Sequence, residues 1–529
     1  MKFNSPDKNV ITRWAWISVL AIALPMVVMA LQGTDGNWDL RNYHLYDPHA
    51  WLTGRMAMDI APAQLQSWHN PLLDVPLYLL VMSGLSAHWA GLWLTLPYVV
   101  SIFLLLRLQR LLSPAQPSWF SQLILVALAL TGSTAYSTLA TSTNDGFVAA
   151  AILASLWLIL NQDGQAGIYR RWLLAGLVAG AITGLKLTAI AYCFGLAFAA
   201  LIGAGAKERL LRLCHLALGG ALGFLLTYAY WGWHLYATFR NPFFPYYNDI
   251  FHSPYALAAN YADGRFKPHS LWEALFCPIQ LLFKSPKFSG LLQSDPRLLI
   301  GMLALSGLYL LHRKKLPDGT SQRSRIGMLL VFFVSSFLLW VFPSGIYRYA
   351  VVLEMLGCLA LVVLLQWLPR GRNIALLAAA VLVTADTTRP NWGHIKTSEP
   401  MAGIVPPDIS GDSLVVIATR KPLGYLALGL PGSVPLVAVS NNMMDPENCT
   451  RLQERAREII VHHPGPIWLL TDGEAGREKS QSLVAEHYDL ESAGDCLPYQ
   501  NALGAAQLCP QKRGLAFATM HGPACVPGP

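Results

Sequence analysis

The strongest constraint on this fold is a series of long apolar segments separated by short basic clusters. The chain of 529 residues is 54% hydrophobic and 13% charged, whereas soluble proteins are roughly 25% charged. Since ~20 apolar residues cross a bilayer as one helix, the pattern predicts a mainly α, polytopic membrane protein with about eleven transmembrane helices. Continuous apolar runs exclude an outer-membrane barrel, whose strands alternate. The predicted spans are residues 14–31, 88–106, 119–138, 146–161, 172–188, 189–205, 213–233, 297–311, 327–343, 350–367 and 374–386.

The basic clusters predict the orientation of these spans. Lys and Arg residues concentrate in cytoplasmic loops of membrane proteins, so the loops "RLQRLLSPAQPS", "NQDGQAGIYRR" and "HRKKLPDGTSQRSR" are expected inside. Lys2, Lys8 and Arg13 precede the first span, which is long for a cleavable signal and predicts a cytoplasmic N-terminus. The formal charge of +8 lies mostly in such loops, so nucleic-acid binding is not expected.

The tail differs in composition from the rest of the chain. We predict a membrane domain over residues 1–388, with a long outer loop at 32–87, and a small α/β extracytoplasmic domain over 389–529. "SLVVIAT" and "PIWLLTD" are typical of buried strands, and "CTRLQERAREIIVHH" of an amphipathic helix. Four cysteines predict one or two disulfides of undetermined pairing, and hence an oxidising compartment: Cys449, Cys496, Cys509 and Cys525. No phosphate-binding GxxxxGK[ST] loop supports ATP-driven transport.

The first outer loop carries an unusual density of polar groups, "NWDLRNYHLYDPHAWLTGR", over residues 37–55. If this stretch is helical, Asp39 and Tyr43 share a face. Asp39 is then either a helix cap or a general base, and Asp35 is a rival base. His44 and Asp47 become candidate acceptor contacts, and Tyr43 is a candidate substrate-binding residue.

A divalent metal is a second interpretation of the same loop. His44, His49 and His69 with Asp47 offer ligands that suit zinc or manganese. The spacing is not diagnostic, and a polar network without metal is the alternative.

Other polar residues collect at the predicted outer ends of separate spans. Fifteen residues separate Arg171 from Lys186, or ~22 Å of helix, so Lys186 is expected near the outer side of the hydrocarbon. There it either reaches the interface or binds a phosphate. The guanidinium groups of Arg348 and Arg240, the latter beside Asn241, can also bind phosphate or merely anchor a helix end.

Together these residues resemble the type C glycosyltransferases, polytopic enzymes that use polyprenyl-phosphate sugars outside the cytoplasm, a superfamily that includes protein mannosyltransferases and aminoarabinose transferases. The resemblance covers residues 1 to about 388. It rests on the acidic, aromatic first loop, on "NPLLDVPLYLL", on "STNDGFVAAAILASL", on the lysine-bearing "AGAITGLKLTA", and on "GIYRYA", whose Arg348 and Tyr349 resemble an Arg-Tyr pair at a late helix end.

The resemblance implies a hexosyl- or pentosyltransferase. The short loops favour a bacterial inner membrane as its location. Asp39 would deprotonate an acceptor hydroxyl, on a glycan, lipid or protein, that attacks the anomeric carbon with inversion. Lys186, with Arg348 or Arg240, would hold the leaving lipid phosphate, and Asp145 would orient the acceptor or the base. The chain departs from the Asp-Glu dyad of protein mannosyltransferases, because Leu40 follows Asp39.

Two other functions use similar residues. A transporter or flippase of lipid-linked sugars could line its pathway with the same cations, but it would more often show internal repeats and interrupted helices near mid-membrane. An O-antigen ligase or polymerase would carry a long outer loop rich in Arg and His late in the chain. Here the outer loop richest in polar residues comes first.

Overall fold

The computed structural model describes residues 8–161, 167–315, 321–401 and 407–517. Its α-helices are α1 Lys8–Gln32, α2 Tyr46–Thr53, α3 Val75–Met82, α4 Ala87–Leu112, α5 Trp119–Leu130, α6 Ser133–Thr138, α7 Asp145–Leu160, α8 Ile168–Leu185, α9 Ile190–Ala200, α10 Ala206–Phe239, α11 Asn248–Phe251, α12 Leu271–Gln280, α13 Arg297–Lys315, α14 Ser321–Val341, α15 Val351–Leu365, α16 Arg372–Asp386, α17 Arg451–His462 and α18 Glu474–Tyr488. Its strands are β1 Thr34–Asp35, β2 His394–Ile395, β3 Leu414–Ile417, β4 Leu436–Ala438, β5 Ile467–Thr471, β6 Leu490–Ser492, β7 Leu497–Asn501 and β8 Gly504–Arg513.

The chain divides into two compact units. Unit 1 comprises Met1–Gln32, Leu92–Ala229 and Asp263–Trp392. Unit 2 comprises Gly33–Gly91, Tyr230–Ala262 and Gly393–Pro529. The sequence prediction places the first outer loop in the membrane domain, whereas this division groups that loop with the tail.

Unit 1 is built mainly from apolar helices, and each predicted span overlaps at least one helix of the described residues. Within the described residues, five helical segments are long and apolar enough to cross a membrane: Ala15–Gln32, Ala87–Leu112, Ala206–Phe239, Ser321–Val341 and Tyr347–Leu365. Shorter apolar helices include Trp119–Leu130, Asp145–Leu160 and Leu187–Ala200. The membrane character of the fold is therefore clear, while the predicted number of eleven spans is not confirmed.

One predicted span, residues 119–138, is interrupted in the structure. The helix ends at Leu130 and a second one begins at Ser133. A Cβ on Gly132 would lie 1.8 Å from the Glu354 carboxylate, so only glycine fits at the break. The Glu354 carboxylate accepts the N–H groups of Thr134 and Ala135 at the start of the second helix.

Helices α8 and α10 pack closely through small residues. A Cβ on Gly176 would meet the Leu216 carbonyl oxygen at 2.1 Å, and one on Gly180 would meet the Gly220 carbonyl oxygen at 2.0 Å. Small residues at this spacing let two helix backbones approach each other inside a membrane.

This packing predicts that Gly180→Ala destabilises the protein. We expect a loss of about 1–3 kcal/mol from forced helix separation, larger than the ~1 kcal/mol that alanine gains in helix propensity. Thermal unfolding in detergent measures the effect, and Gly205→Ala is the control, because a Cβ there meets nothing within 4 Å. Equal unfolding midpoints for both variants would contradict the close packing.

Unit 2 contains a six-stranded sheet in the order β4-β3-β5-β8-β6, with β7 pairing with β8. Strand β3 runs parallel to β4 and β5, whereas β5 and β8 are antiparallel. The predicted strands "SLVVIAT" and "PIWLLTD" are β3 and β5, and the predicted amphipathic helix is α17. The expected small α/β fold of the tail is confirmed.

Backbone hydrogen bonds join the first outer loop to the tail within unit 2. Thr34 pairs with Ile395 between β1 and β2. Ile60 donates its N–H to the Leu436 carbonyl at 3.0 Å and accepts the Ala438 N–H at 2.9 Å. These bonds explain why the loop groups with the tail rather than with the apolar helices.

The cysteines of the tail form at least one of the predicted bridges. Cys496 and Cys509 are joined by a disulfide. Cys525 lies outside the described residues.

A buried ion pair stabilises the junction of loop and tail. Arg55 is 1% exposed and donates to both carboxylate oxygens of Asp59, at 2.9 and 3.1 Å, and to the Val434 carbonyl at 2.8 Å. Asp59 also accepts the Leu436 N–H at 2.9 Å.

Removing one member of this pair should destabilise unit 2. Arg55→Met leaves the Asp59 carboxylate buried without its cation, so we expect a loss of about 3–5 kcal/mol in the free energy of unfolding. The double variant Arg55→Met/Asp59→Asn removes the stranded charge and should recover part of the loss. A single variant as stable as the wild type in thermal unfolding would show that the pair contributes nothing.

Candidate active site

Lys186 lies where a helix ends. Helix α8 stops at Leu185, and Lys186 is extended, with φ −144° and ψ 100°. Its half-buried side chain donates hydrogen bonds from Nζ to the Asp145 carboxylate and to the Thr143 carbonyl oxygen. The predicted span 172–188 continues through this position, but in the structure the helix ends at Leu185. Lys186 is therefore not part of a helix face.

Asp145 is the anion of this cluster. It is the first residue of α7, it is 2% exposed, and the preceding Asn144 has a left-handed φ of 63°. A carboxylate in the first helical turn is favoured by the helix dipole. Its Oδ1 binds Lys186, and its Oδ2 lies 3.8 Å from the Arg348 Nε.

Arg348 and Tyr349 belong to a 3₁₀ turn, Tyr347–Ala350, that leads into α15. The Tyr349 ring lies 5.4 Å from the Lys186 Nζ and 5.3 Å from the Arg348 Cζ. Both cations are therefore close to the same aromatic ring, at distances where cation–π attraction acts. Their side chains are 15% and 21% exposed, respectively, whereas that of Asp145 is only 3% exposed.

A second buried network, which the sequence reasoning missed, positions this cluster. Glu354 accepts the N–H groups of Thr134 and Ala135, each at 2.9 Å, at the start of α6. Asp295 accepts the Ser133 N–H at 2.7 Å. Helix α6 precedes the loop that carries Asp145, and α15 carries Glu354 six residues after Arg348.

A signal for this network was present in the sequence. Glu354 is an acidic residue within an apolar span, "VVLEMLGCLAL", where a charged group is costly unless it is bound. Asp295 is neutralised by Arg297, whose guanidinium lies 3.0 Å from the Asp295 Oδ1.

In unit 2, the two candidate bases differ in exposure. Asp35 is 0% exposed, and its Oδ1 accepts the Asn37 N–H at 3.0 Å. Asp39 is half-buried and directly precedes a π-helical turn, Leu40–His44. The predicted helix over this stretch is present, but it begins with a π turn, so the α-helical relation between Asp39 and Tyr43 is altered. Such turns occur frequently at functional sites.

The histidines of the first loop bind three different partners. His44 Nδ1 lies 2.8 Å from the Asp74 Oδ2, His49 Nδ1 lies 3.0 Å from the Tyr78 hydroxyl, and His69 Nε2 lies 2.9 Å from the Tyr246 hydroxyl. The Tyr43 ring lies 4.0 Å from the His44 ring, between centroids. Across the described ranges, no group of three or more His, Cys, Asp or Glu side chains is placed to hold a metal ion. Each of these three imidazole groups therefore has a hydrogen-bonding partner.

Burial shifts the ionisation of two groups in this network. Burial, with a smaller contribution from Asp74, raises the pKa of the Asp47 carboxyl well above its usual range. Burial, together with the nearby Arg55 charge, lowers the pKa of His49 to about 4. The His49 imidazole is consequently neutral at pH 7.

Arg240 and Asn241 lie in unit 2 at the end of α10. Arg240 is exposed and has a positive φ of 61°. Asn241 is fully buried, donates to the Tyr246 carbonyl at 3.0 Å and accepts the Phe243 N–H at 2.9 Å. Its side chain thus holds the shape of its own loop.

The predicted site residues fall into two groups. The structure brings together Asp145, Lys186, Arg348 and Tyr349 in unit 1. The others belong to unit 2: Asp35, Asp39, Tyr43, His44, Arg240 and Asn241.

Comparison with solved structures identifies the fold. The crystal structure of ArnT from Cupriavidus metallidurans in the apo state superposes with a TM-score of 0.56, at 14% sequence identity, over 97% of this chain and 100% of that chain. This chain has the ArnT fold. ArnT from the same organism bound to undecaprenyl phosphate has the same TM-score and identity, over 96% of this chain and 99% of that one. No family profile and no curated protein sequence matches the chain.

The superposition with ArnT confirms the fold that the resemblance implied. The ArnT fold also extends over the tail, which the sequence resemblance did not cover. Nearly the full length of both chains is matched.

Proposed function

We propose that the protein is a glycosyltransferase that moves a sugar from a polyprenyl-phosphate donor to an acceptor hydroxyl at the periplasmic face of a bacterial inner membrane. The observation that carries this proposal is the Lys186 and Arg348 pair around one carboxylate, in a chain with the ArnT fold. An ammonium and a guanidinium near one point suit a phosphate. The undecaprenyl phosphate bound to ArnT is a ligand of that chemistry.

The cations act on the leaving group in this reaction. The acceptor oxygen forms a bond to the anomeric carbon, the bond from that carbon to the phosphate oxygen breaks, and its electron pair stays on the phosphate. Lys186 and Arg348 stabilise the charge that develops there, and such fixed charges supply a large part of enzymatic rate enhancement. Attack from the opposite face inverts the anomeric centre.

Asp39 is the proposed general base. A base must be reachable by the acceptor hydroxyl, and Asp39 is half-buried whereas Asp35 is fully buried. Tyr43 and His44 follow Asp39 on the same short helical stretch and are proposed acceptor contacts. Exposed Arg240 remains a proposed contact for the phosphate or the acceptor, whereas the internal hydrogen bonds of Asn241 favour a structural role for that residue.

The proposed topology places the N-terminus in the cytoplasm and the tail in the periplasm. Basic loops support the first assignment. The Cys496–Cys509 disulfide supports an oxidising compartment for the tail.

The test is incubation of the purified protein with radiolabelled polyprenyl-phosphate hexoses and pentoses. We expect transfer or slow hydrolysis of at least one donor, with release of polyprenyl phosphate. The competing function is a transporter of lipid-linked sugars. If every donor stays intact in this assay and sugar lipids cross the membrane of reconstituted vesicles, the proposed transferase function is wrong and the protein is that transporter.

A further inference from the structure

An apolar groove lies between helices α1, α4 and α5 of unit 1 and has a volume of about 300 Å³. This volume is at the lower end of the range for small-molecule sites. Trp16 of α1, Leu106 of α4, and Trp119 and Val126 of α5 are among the residues that line it. The lining residues are hydrophobic except for Gln122, which lies three residues after the start of α5.

Gln122 is the polar residue of this groove, and its side-chain oxygen has no hydrogen-bond donor among the described residues. The residue is 4% exposed, and its Oε1 is buried without a partner. Most buried polar side-chain atoms in proteins have a partner, and a buried acceptor left without a donor is destabilising. The amide therefore points to a ligand that supplies an N–H or O–H donor.

Two tryptophans indicate the depth of the groove in the bilayer. Trp16 and Trp119 are 65% and 66% exposed, and both line the groove. Tryptophan is enriched at the membrane–water interface, and Gln122 lies about 4.5 Å further along α5 than Trp119. The groove is therefore at the level of lipid head groups and the adjoining part of the acyl chains. The predicted orientation assigns this level to the cytoplasmic leaflet, because the basic loop "RLQRLLSPAQPS" directly precedes α5.

We infer that the groove binds an amine phospholipid of the phosphatidylethanolamine type. The ammonium group of this lipid donates a hydrogen bond to the Gln122 Oε1, and one acyl chain lies along the apolar wall that includes Leu106 and Val126. An ammonium also suits the two indole rings, since aromatic rings attract cations. The site is independent of the proposed transferase function, because none of its residues belongs to the candidate active site.

The side chains of the groove favour this lipid over other phospholipids. Phosphatidylcholine carries a cation that suits the indole rings, but its quaternary ammonium has no N–H to donate to Gln122. Phosphatidylglycerol has hydroxyl donors but no cation. Phosphatidylethanolamine supplies both a cation and N–H donors, and hydrogen bonds from charged donors are stronger than those from neutral ones.

The test measures lipid binding by native mass spectrometry. The purified full-length protein, delipidated in detergent, receives phosphatidylethanolamine or phosphatidylcholine with identical acyl chains at pH 7. We expect the wild type to bind phosphatidylethanolamine about tenfold more tightly, the effect of one hydrogen bond from a charged donor. Gln122→Leu, which has a similar size but no acceptor, should bind both lipids equally. Gln116→Leu makes the same change at an exposed position outside the groove and should keep the wild-type preference.

The contribution of the indole rings is tested with Trp119→Ala. This variant should weaken the binding of both lipids, because it removes part of the groove wall and one ring that attracts the cation. Undiminished binding of both lipids would show that they bind elsewhere and would overturn the inference.

The other outcomes are equally decisive. If the wild type binds both lipids equally, or if Gln122→Leu keeps the preference, the amide does not select an amine head group and the inference is wrong. Tighter binding of phosphatidylglycerol than of phosphatidylethanolamine would also contradict it. Thermal unfolding in detergent shows whether each variant is folded. If Gln122→Leu does not fold, Gln122→Glu takes its place: it retains an acceptor for the ammonium, and loss of the preference in that variant would contradict the inference.

Discussion

Asp39→Asn is expected to lower kcat for sugar transfer by about 10²–10⁴-fold, the usual contribution of a general base. Asparagine has nearly the same shape as aspartate but cannot take the proton of the acceptor hydroxyl. Donor affinity should change little, because the phosphate is assigned to other residues. Single-turnover release of polyprenyl phosphate, measured beside the donor dissociation constant, separates the two effects.

Two control variants accompany this measurement. Asp249→Asn changes an exposed aspartate of unit 2 and should leave kcat unchanged. Asp35→Asn weakens the buried hydrogen bond to Asn37 and should reduce stability more than turnover. If Asp35→Asn abolishes turnover in folded protein while Asp39→Asn retains it, the base is Asp35.

Lys186→Ala should lower kcat by about 10²–10³-fold, the range seen when one group that stabilises the transition-state charge is removed. The variant loses the ammonium that hydrogen bonds with Asp145, so Arg348 is left to balance both that carboxylate and the phosphate. Donor affinity should fall as well. The same single-turnover and binding measurements report both changes.

Lys207→Ala is the matched control, because Lys207 is exposed at the start of α10 and is not part of the cluster. Lys186→Arg keeps the charge with a different shape and should recover part of the donor affinity. Unchanged donor binding by Lys186→Ala would remove this residue from the phosphate site.

The sequence predicted the parts of the fold that depend on local pattern. Apolar segments of the membrane region became helices, and alternation of short apolar runs with an amphipathic helix predicted the α/β tail. These patterns are set by the environment of each segment and can be recognised without knowing its partners. The length of individual spans could not be predicted, because breaks such as Gly132 depend on the distant Glu354.

The association of the first outer loop with the tail could not be predicted from sequence patterns. Ile60 pairs with Leu436 and Ala438, more than 370 residues away, through backbone bonds that carry no side-chain signature. Thr34 pairs with Ile395 in the same way. Only the folded chain shows that loop and tail form one sheet-based unit.

The residues of the candidate site were predicted from the sequence, but the contacts between them were not. Lys186, Arg348 and Asp145 were identified because polar groups at the outer ends of spans are unusual. Their contact depends on two local features, the end of α8 at Leu185 and the left-handed Asn144 before α7. Neither follows from apolar periodicity, which continues through Lys186.

The most direct test of the central claim offers the same sugar on two carriers. Membranes containing the protein, which supply acceptors, receive a panel of radiolabelled hexoses and pentoses, each linked either to polyprenyl phosphate or to a nucleoside diphosphate. We expect transfer of a sugar from the polyprenyl-phosphate carrier with release of polyprenyl phosphate, and a transfer rate about 10²–10³-fold lower for Lys186→Ala. Transfer from nucleotide carriers by a protein that leaves every lipid-linked donor intact would contradict the account.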